Sequence, residues 1–196
     1  MSLQIYYTGA ANKDDLSNTS SSKSLGGLVA TSSLVPNGRL NSIFGSVSKV
    51  PSLGLYSEYR AIAVKNNTGG ALTNVEIYLT QPTGTPQASF ELAVVTVVED
   101  VNCPGVYSME EVSDSHSQPF TGTFTAPDII TPGVIASWPD GAYYGIWIKR
   151  TINPELVKSG TSCATLVSDY DTNLSPSENT LSIDPTLEQF ELVLDY

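Results

Sequence analysis

SEYRAIAVKNNTGGALTNVEIYL, residues 57–79, carries the clearest pattern in the chain, and its reading decides the fold. In the first half Arg60, Ile62 and Val64 share one face while Tyr59, Ala61 and Ala63 share the other. That period-two alternation is the mark of a half-buried strand. The second half alternates again, with Val75, Ile77 and Leu79 inward. Between them, NNTGG supplies residues that tolerate a positive φ, so the stretch predicts two strands joined as a hairpin.

The pattern continues outward. ASFELAVVTVVED (88–100) sets Phe90, Leu92, Val94 and Thr96 against Glu91, Ala93 and Val95, and its β-branched richness favours a strand over a helix. In AYYGIWIKRTI (142–152), Tyr144, Ile146 and Ile148 oppose Tyr143, Trp147 and Lys149. PFTGTFTAP (119–127), GVIASW (133–138) and EQFELVLDY (188–196) are shorter candidates. Prolines and glycines punctuate these runs, and no window shows a sustained helical stripe. Short strands separated by turn signals predict an all-β fold, an antiparallel β-sandwich that is Ig-like or jelly-roll-like, over residues 59–196. Its expected core is Ile62, Val64, Val75, Ile77, Leu92, Ile146 and Ile148.

Residues 1–58 read differently. They are rich in Ser, Gly and Asn, with weak apolar patches in SLGGLVA and LNSIFGSV. Their hydrophobicity is too low for an independent core, which predicts a long N-terminal extended arm laid over its own domain or a neighbouring subunit.

The 196 residues suit one domain, and 20 acids against 9 bases give a net charge of −11. Phosphate backbones are bound chiefly through Lys and Arg, so direct nucleic-acid binding is not expected, nor is binding to an anionic membrane. No apolar run is long enough for a membrane helix, and MSLQIYYTGAANKDD lacks the basic and apolar regions expected of a secretory signal. Cys103 and Cys163 are the only cysteines. A disulfide between them requires Cα atoms within about 7 Å, and two reduced thiols is the favoured expectation.

Reactive constellations are sparse. His116, the single histidine, lies in SDSHSQP, a loop-like stretch without the G-x-S-x-G elbow of a serine hydrolase. Glu99, Asp100, Glu110, Glu111 and Asp114 are numerous enough for glycoside hydrolysis, which needs two converging carboxylates, but sequence does not reveal convergence. Asp169, Asp171 and Asn173 have the opening spacing of a calcium loop. Leu174 and Thr180 then stand where an EF-hand needs Gly and Glu, which excludes that motif. No cofactor and no metal is expected. Trp138, Tyr143, Tyr144 and Trp147 crowd together, and stacked aromatics bind sugars. Alternation along a strand prevents all of them from sharing one platform, so core packing and a subunit contact weigh more heavily. Tyr143, Trp147 and Trp138 are the candidates for that contact or for an aromatic surface; a glycan ligand has no further support.

The order of SLGG (Ser24–Gly27), IFGSV (Ile43–Val47), YRAIAVKN (Tyr59–Asn66) and WIKRT (Trp147–Thr151) resembles a family of small virion structural proteins of tailed bacteriophages. Those chains carry S-L-G-G, L-F-x-x-V, Y-R-x-x-x-V-x-N and W-x-R-R-T in that sequence. Lys149–Arg150 stands where two arginines are common, and 84–119 and 169–196 have no counterpart. The resemblance implies a non-enzymatic particle component, located in the virion and assembled in the host cytoplasm. Its partners would be further copies of itself and portal, tail or capsid proteins. A ring or collar at the neck or tail is the first expectation. A capsid-surface decoration or head-fibre protein with a carbohydrate-binding sandwich is the alternative, ahead of a glycan hydrolase.

Overall fold

The protein is described from a computed structural model covering residues 3–36, 39–40, 43–44, 56–80, 88–120, 122–126, 135–152, 165–168, 178–183 and 190–195. Its strands are β1 (Gln4–Thr8), β2 (Gly27–Leu34), β3 (Arg39–Leu40), β4 (Tyr56–Lys65), β5 (Leu72–Thr80), β6 (Ala88–Thr96), β7 (Val98–Glu99), β8 (Tyr107–Met109), β9 (Ile135–Trp138), β10 (Tyr143–Ile152), β11 (Thr165–Ser168), β12 (Glu178–Ile183) and β13 (Phe190–Asp195). They form two antiparallel sheets, ordered β6-β10-β4-β1-β2-β8-β7 and β3-β11-β12-β13-β5-β9.

The principal core lies between the sheets. Ile62, Val64, Phe90, Leu92, Ile146 and Ile148 from the first sheet meet Val75, Ile77, Ile135 and Trp138 from the second. Each of the seven residues expected in the core is at most 1% exposed. The fold is thus all-β and sandwich-like, and the alternation along β4, β6 and β10 marks the face turned toward the second sheet.

The hairpin expected at 57–79 does not form. β4 pairs with β1 and β10, whereas β5 pairs with β13 and β9, so the two strands belong to different sheets and face one another across the core. The connection at 66–71 is an arch. Asn66 is fully buried there, and its side-chain amide donates to Gly70 O (2.8 Å) and Trp138 O (2.9 Å). Its backbone N–H donates to Ala142 O (3.0 Å), and its carbonyl accepts from Gly141 N (2.7 Å). Asn66 therefore ties this crossing to the β9–β10 crossing at 139–142, where the chain returns to the first sheet. An arch and a hairpin require the same inward alternation, which is why the sequence pattern suits both.

Residues 4–34 correct the expectation of an arm. β1 lies beside β4 near the middle of the first sheet, with Tyr6 opposite Ala63 and Tyr7 opposite Ile62, and β2 pairs with β1. Ile43 and Phe44 are buried in the inter-sheet core. The boundary drawn at residue 58 therefore cuts through one sheet. Hydropathy is low here because several buried positions carry hydroxyl or amide side chains whose hydrogen bonds are made internally, which removes the penalty of burying them. Where β1 leaves β4, Ser24 takes its place. Thr8 N–H donates to Ser24 Oγ (2.9 Å), Ser24 Oγ donates to Ala61 O (2.6 Å), and Ala61 N–H donates to Ser24 O (2.8 Å). Asn18 and Ser33, also buried, are joined by a bond from Asn18 N–H to Ser33 Oγ (3.0 Å).

Ser24→Ala is accordingly expected to destabilise the fold by about 1–3 kcal/mol, because it leaves the buried Thr8 N–H without its acceptor. A urea unfolding midpoint unchanged from wild type would show that the Ser24 bridge contributes nothing.

The other face of the first sheet is covered as well. Tyr59, Ala61, Ala93, Val95 and Trp147 pack beneath Met109 and Val112, flanked by Leu25 and Phe124. Small residues make that approach possible: a Cβ on Gly145 would stand 2.8 Å from Val95 and 3.0 Å from Met109. β4 is consequently buried on both sides along most of its length.

Candidate functional site

The densest charge chemistry among the described residues lies inside the sandwich. Strand alternation continues the inward face of β4 from Val64 and Ile62 to Arg60, Glu58 and Tyr56. In the sheet register Arg150 sits directly opposite Glu58 on one side and Phe90 on the other. Arg150 is 1% exposed. Its Nε donates to Glu58 Oε2 at 3.1 Å, and its Nη2 forms an ion pair with the same oxygen. The ring of Phe44 completes the cluster, with the guanidinium carbon of Arg150 at 4.7 Å and that of Arg60 at 5.7 Å from its centroid, within cation–π range. Phe44 and Phe90 lie 6.0 Å apart at a tilt of 55°.

Arg60 carries the second cation. Its Nη1 donates to Tyr59 O (2.7 Å), and its buried Nε has no hydrogen-bond partner. Burial pushes the Arg60 pKa below its ordinary value; Glu58 opposes that shift and Arg150 adds to it. Tyr56 links the cluster to the surface. Its hydroxyl donates to Glu58 Oε1 (3.3 Å), and its ring lies 4.8 Å from that of His116. Burial raises the Tyr56 pKa, and the Glu58 charge adds to the rise.

His116 is held by its loop. Nδ1 lies 2.9 Å from Ser57 O, and its backbone N–H donates to Asp114 Oδ1 (2.7 Å). Asp114 is kept below the usual carboxylate range, first by that backbone N–H and then by the Ser117 hydroxyl. In chemical terms the cluster is a clamp. One carboxylate accepts from Arg150 and Tyr56, and one aromatic ring is shared by two guanidiniums, which fastens β4, β10 and residues 43–44 together.

The aromatic candidates are placed otherwise than expected. Trp138 and Trp147 are 0% exposed and Tyr143 is 7% exposed, so they form no surface platform. Trp138 belongs to the inter-sheet core, where its indole N–H donates to Ala142 O (2.9 Å) and its ring meets Tyr144 at 5.1 Å, nearly edge-on. Trp147 lies on the opposite face beside Tyr59 and Met109. Tyr143 stands between Tyr107 (4.4 Å) and Tyr6 (5.8 Å), with Lys65 Nζ 5.4 Å from its ring centroid. The physical reason is that both faces of β10 are covered, one by the second sheet and one by Tyr107, Met109, Val112 and Phe124, so alternation sends each aromatic into a different interior.

Of the carboxylates, Asp100 pairs with Lys13, and Glu99 accepts from Gly105 N–H (2.7 Å). Among the described residues no group of three or more His, Cys, Asp or Glu is arranged to hold a metal ion. Cys163 and the Asp169, Asp171, Asn173 run lie outside the described residues. Glu58, Arg60, Arg150 and Phe44 were not singled out as a cluster from sequence. The available signal was charge in an inward phase, since Arg60 alternates with Ile62 and Val64, and Arg150 with Ile148.

Comparison with family models, curated proteins and solved structures finds no match to this chain.

Proposed function

We propose that this chain is a non-enzymatic structural component of a tailed bacteriophage particle, present in many copies. The observation that carries the reading is where the residues of the resemblance lie. Ser24 bonds to Ala61, Phe44 is stacked by Arg60 and Arg150, Asn66 ties two arches together, and Trp147 fills the second face. Short motifs far apart in sequence thus act on one another in one sandwich, as expected of residues that build a fold rather than react.

A ring at the neck or tail is the station we propose first. Residues 4–34 are part of their own sheet, so such a ring would close through the edges and loops of the sandwich rather than through a swapped arm. The net charge of −11 suits a wall along which DNA passes, because a like-charged surface does not retain the polymer. The test is mass spectrometry of purified particles followed by imaging. Density for this chain in a ring about the portal axis is the expected result. Density on the capsid lattice would move it to a decoration role, and absence from the particle would overturn the virion reading.

A further inference from the structure

Phe120 is 99% exposed, more than any other large apolar side chain among the described residues. It is nevertheless carried on a fixed backbone. Its N–H donates to the Glu110 carboxylate, and Pro119 before it is buried. On the other side Gly122 is pressed against the sheet, where an added Cβ would stand 2.9 Å from Ala93 and 3.0 Å from Val95. Phe124 then packs against Tyr59 at 5.6 Å, and Thr125 exchanges backbone hydrogen bonds with Leu92 (2.8 and 3.1 Å). A ring projected from a backbone held by its own hydrogen bond loses little conformational freedom on docking. Aromatic anchors of this kind are enriched at the centres of protein interfaces.

The charge around the ring narrows the partner. Residues 110–120 carry Glu110, Glu111 and Asp114 and no Lys or Arg. A second copy of the chain is a poor complement. It also bears −11, and among the bases whose side chains are described Lys13, Lys149 and Arg150 are paired with Asp100, Glu91 and Glu58, Arg60 is buried and Lys65 lies against the Tyr143 ring, which leaves Lys23 as a single exposed base rather than a rim of them. We propose that Phe120 and the carboxylates of 110–120 form a docking surface for a different protein, one that offers an apolar socket rimmed by Lys and Arg. This holds whatever assembly the chain belongs to, so it stands or falls apart from the virion reading.

The probe is a displayed library of random peptides selected on the intact chain, with selected peptides titrated by fluorescence anisotropy. Peptides combining apolar residues with Lys or Arg are expected, with binding that weakens as salt rises. Phe120→Ser should weaken them about tenfold or more while leaving the circular dichroism unchanged, since the side chain touches no core. Glu111→Gln should reduce binding chiefly at low salt. Enrichment of no such peptides, or equal binding by Phe120→Ser, would overturn the proposal. So would sedimentation showing that the wild-type chain self-associates and that Phe120→Ser abolishes it, because the occupant would then be a second copy.

Discussion

Glu58→Ala is expected to destabilise the protein by about 3–5 kcal/mol, the range for removing one partner of a buried ion pair. Arg150 is 1% exposed and directs both its Nε and Nη2 to this carboxylate. Removing Glu58 also leaves two guanidiniums against one Phe44 ring, with no carboxylate between them and burial already opposing the charge on Arg60. The effect therefore comes from stranded cations more than from the lost attraction. A second variant separates the two. Glu58→Leu combined with Arg150→Met removes both charges at similar volume and is expected to recover most of the loss, because a well-packed apolar pair commonly equals a buried ion pair. Urea unfolding of both variants checks this. A loss below about 1 kcal/mol for Glu58→Ala would mean that the pair behaves like a solvated surface bridge.

Much of the sandwich was legible because alternation is a local property of strands. Ile62, Val64, Leu92, Ile146 and Ile148 share a face for reasons contained within a few residues. Which strand pairs with which is not local. The pattern at 57–79 allows β4 and β5 to be neighbours in one sheet or to oppose one another in two, and the outcome depends on Asn66 meeting Trp138 and Ala142, distant in sequence. Residues 4–34 read as an arm because mean hydropathy does not distinguish an exposed serine from one such as Ser24, whose hydroxyl is buried and fully engaged. The aromatics show the same limit. Alternation places Tyr144 and Trp147 on opposite faces, but does not reveal that Met109, Val112 and Phe124 return to cover the second face. Half of the clamp could have been read, since Arg60 and Arg150 stand in phase with isoleucines. Phe44 could not, because only the tertiary fold brings it between them.

Gly26→Ala is expected to cost about 2–5 kcal/mol, combining left-handed backbone strain of about 1–2 kcal/mol with overpacking of about 1–3. Gly26 has φ +85°, and an added Cβ would lie 1.8 Å from Glu110 O and 2.9 Å from Glu111 Cα. The obstacle is backbone, which cannot rotate aside as a side chain can. The two segments are also bonded to one another, Gly27 N–H donating to Glu110 O (3.4 Å) and Val112 N–H to Leu25 O (3.0 Å). Displacing residues 110–112 would lift Met109 and Val112 from Trp147, so the strain reaches the buried face of the first sheet. Two other glycines calibrate the result. Gly105 has φ +87° in open space, so Gly105→Ala should show strain alone, about 1–2 kcal/mol. Gly70 lies in open space without a left-handed φ, so Gly70→Ala should stay within about 0.5 kcal/mol of wild type or gain slightly through the unfolded chain. Unfolding midpoints should therefore fall in the order Gly70→Ala, Gly105→Ala, Gly26→Ala, and only the last should redden the tryptophan emission as Trp147 meets water. If Gly26→Ala proves as mild as Gly105→Ala with unchanged emission, residues 110–112 move aside freely, and the cover over Trp147 does not depend on the SLGG turn.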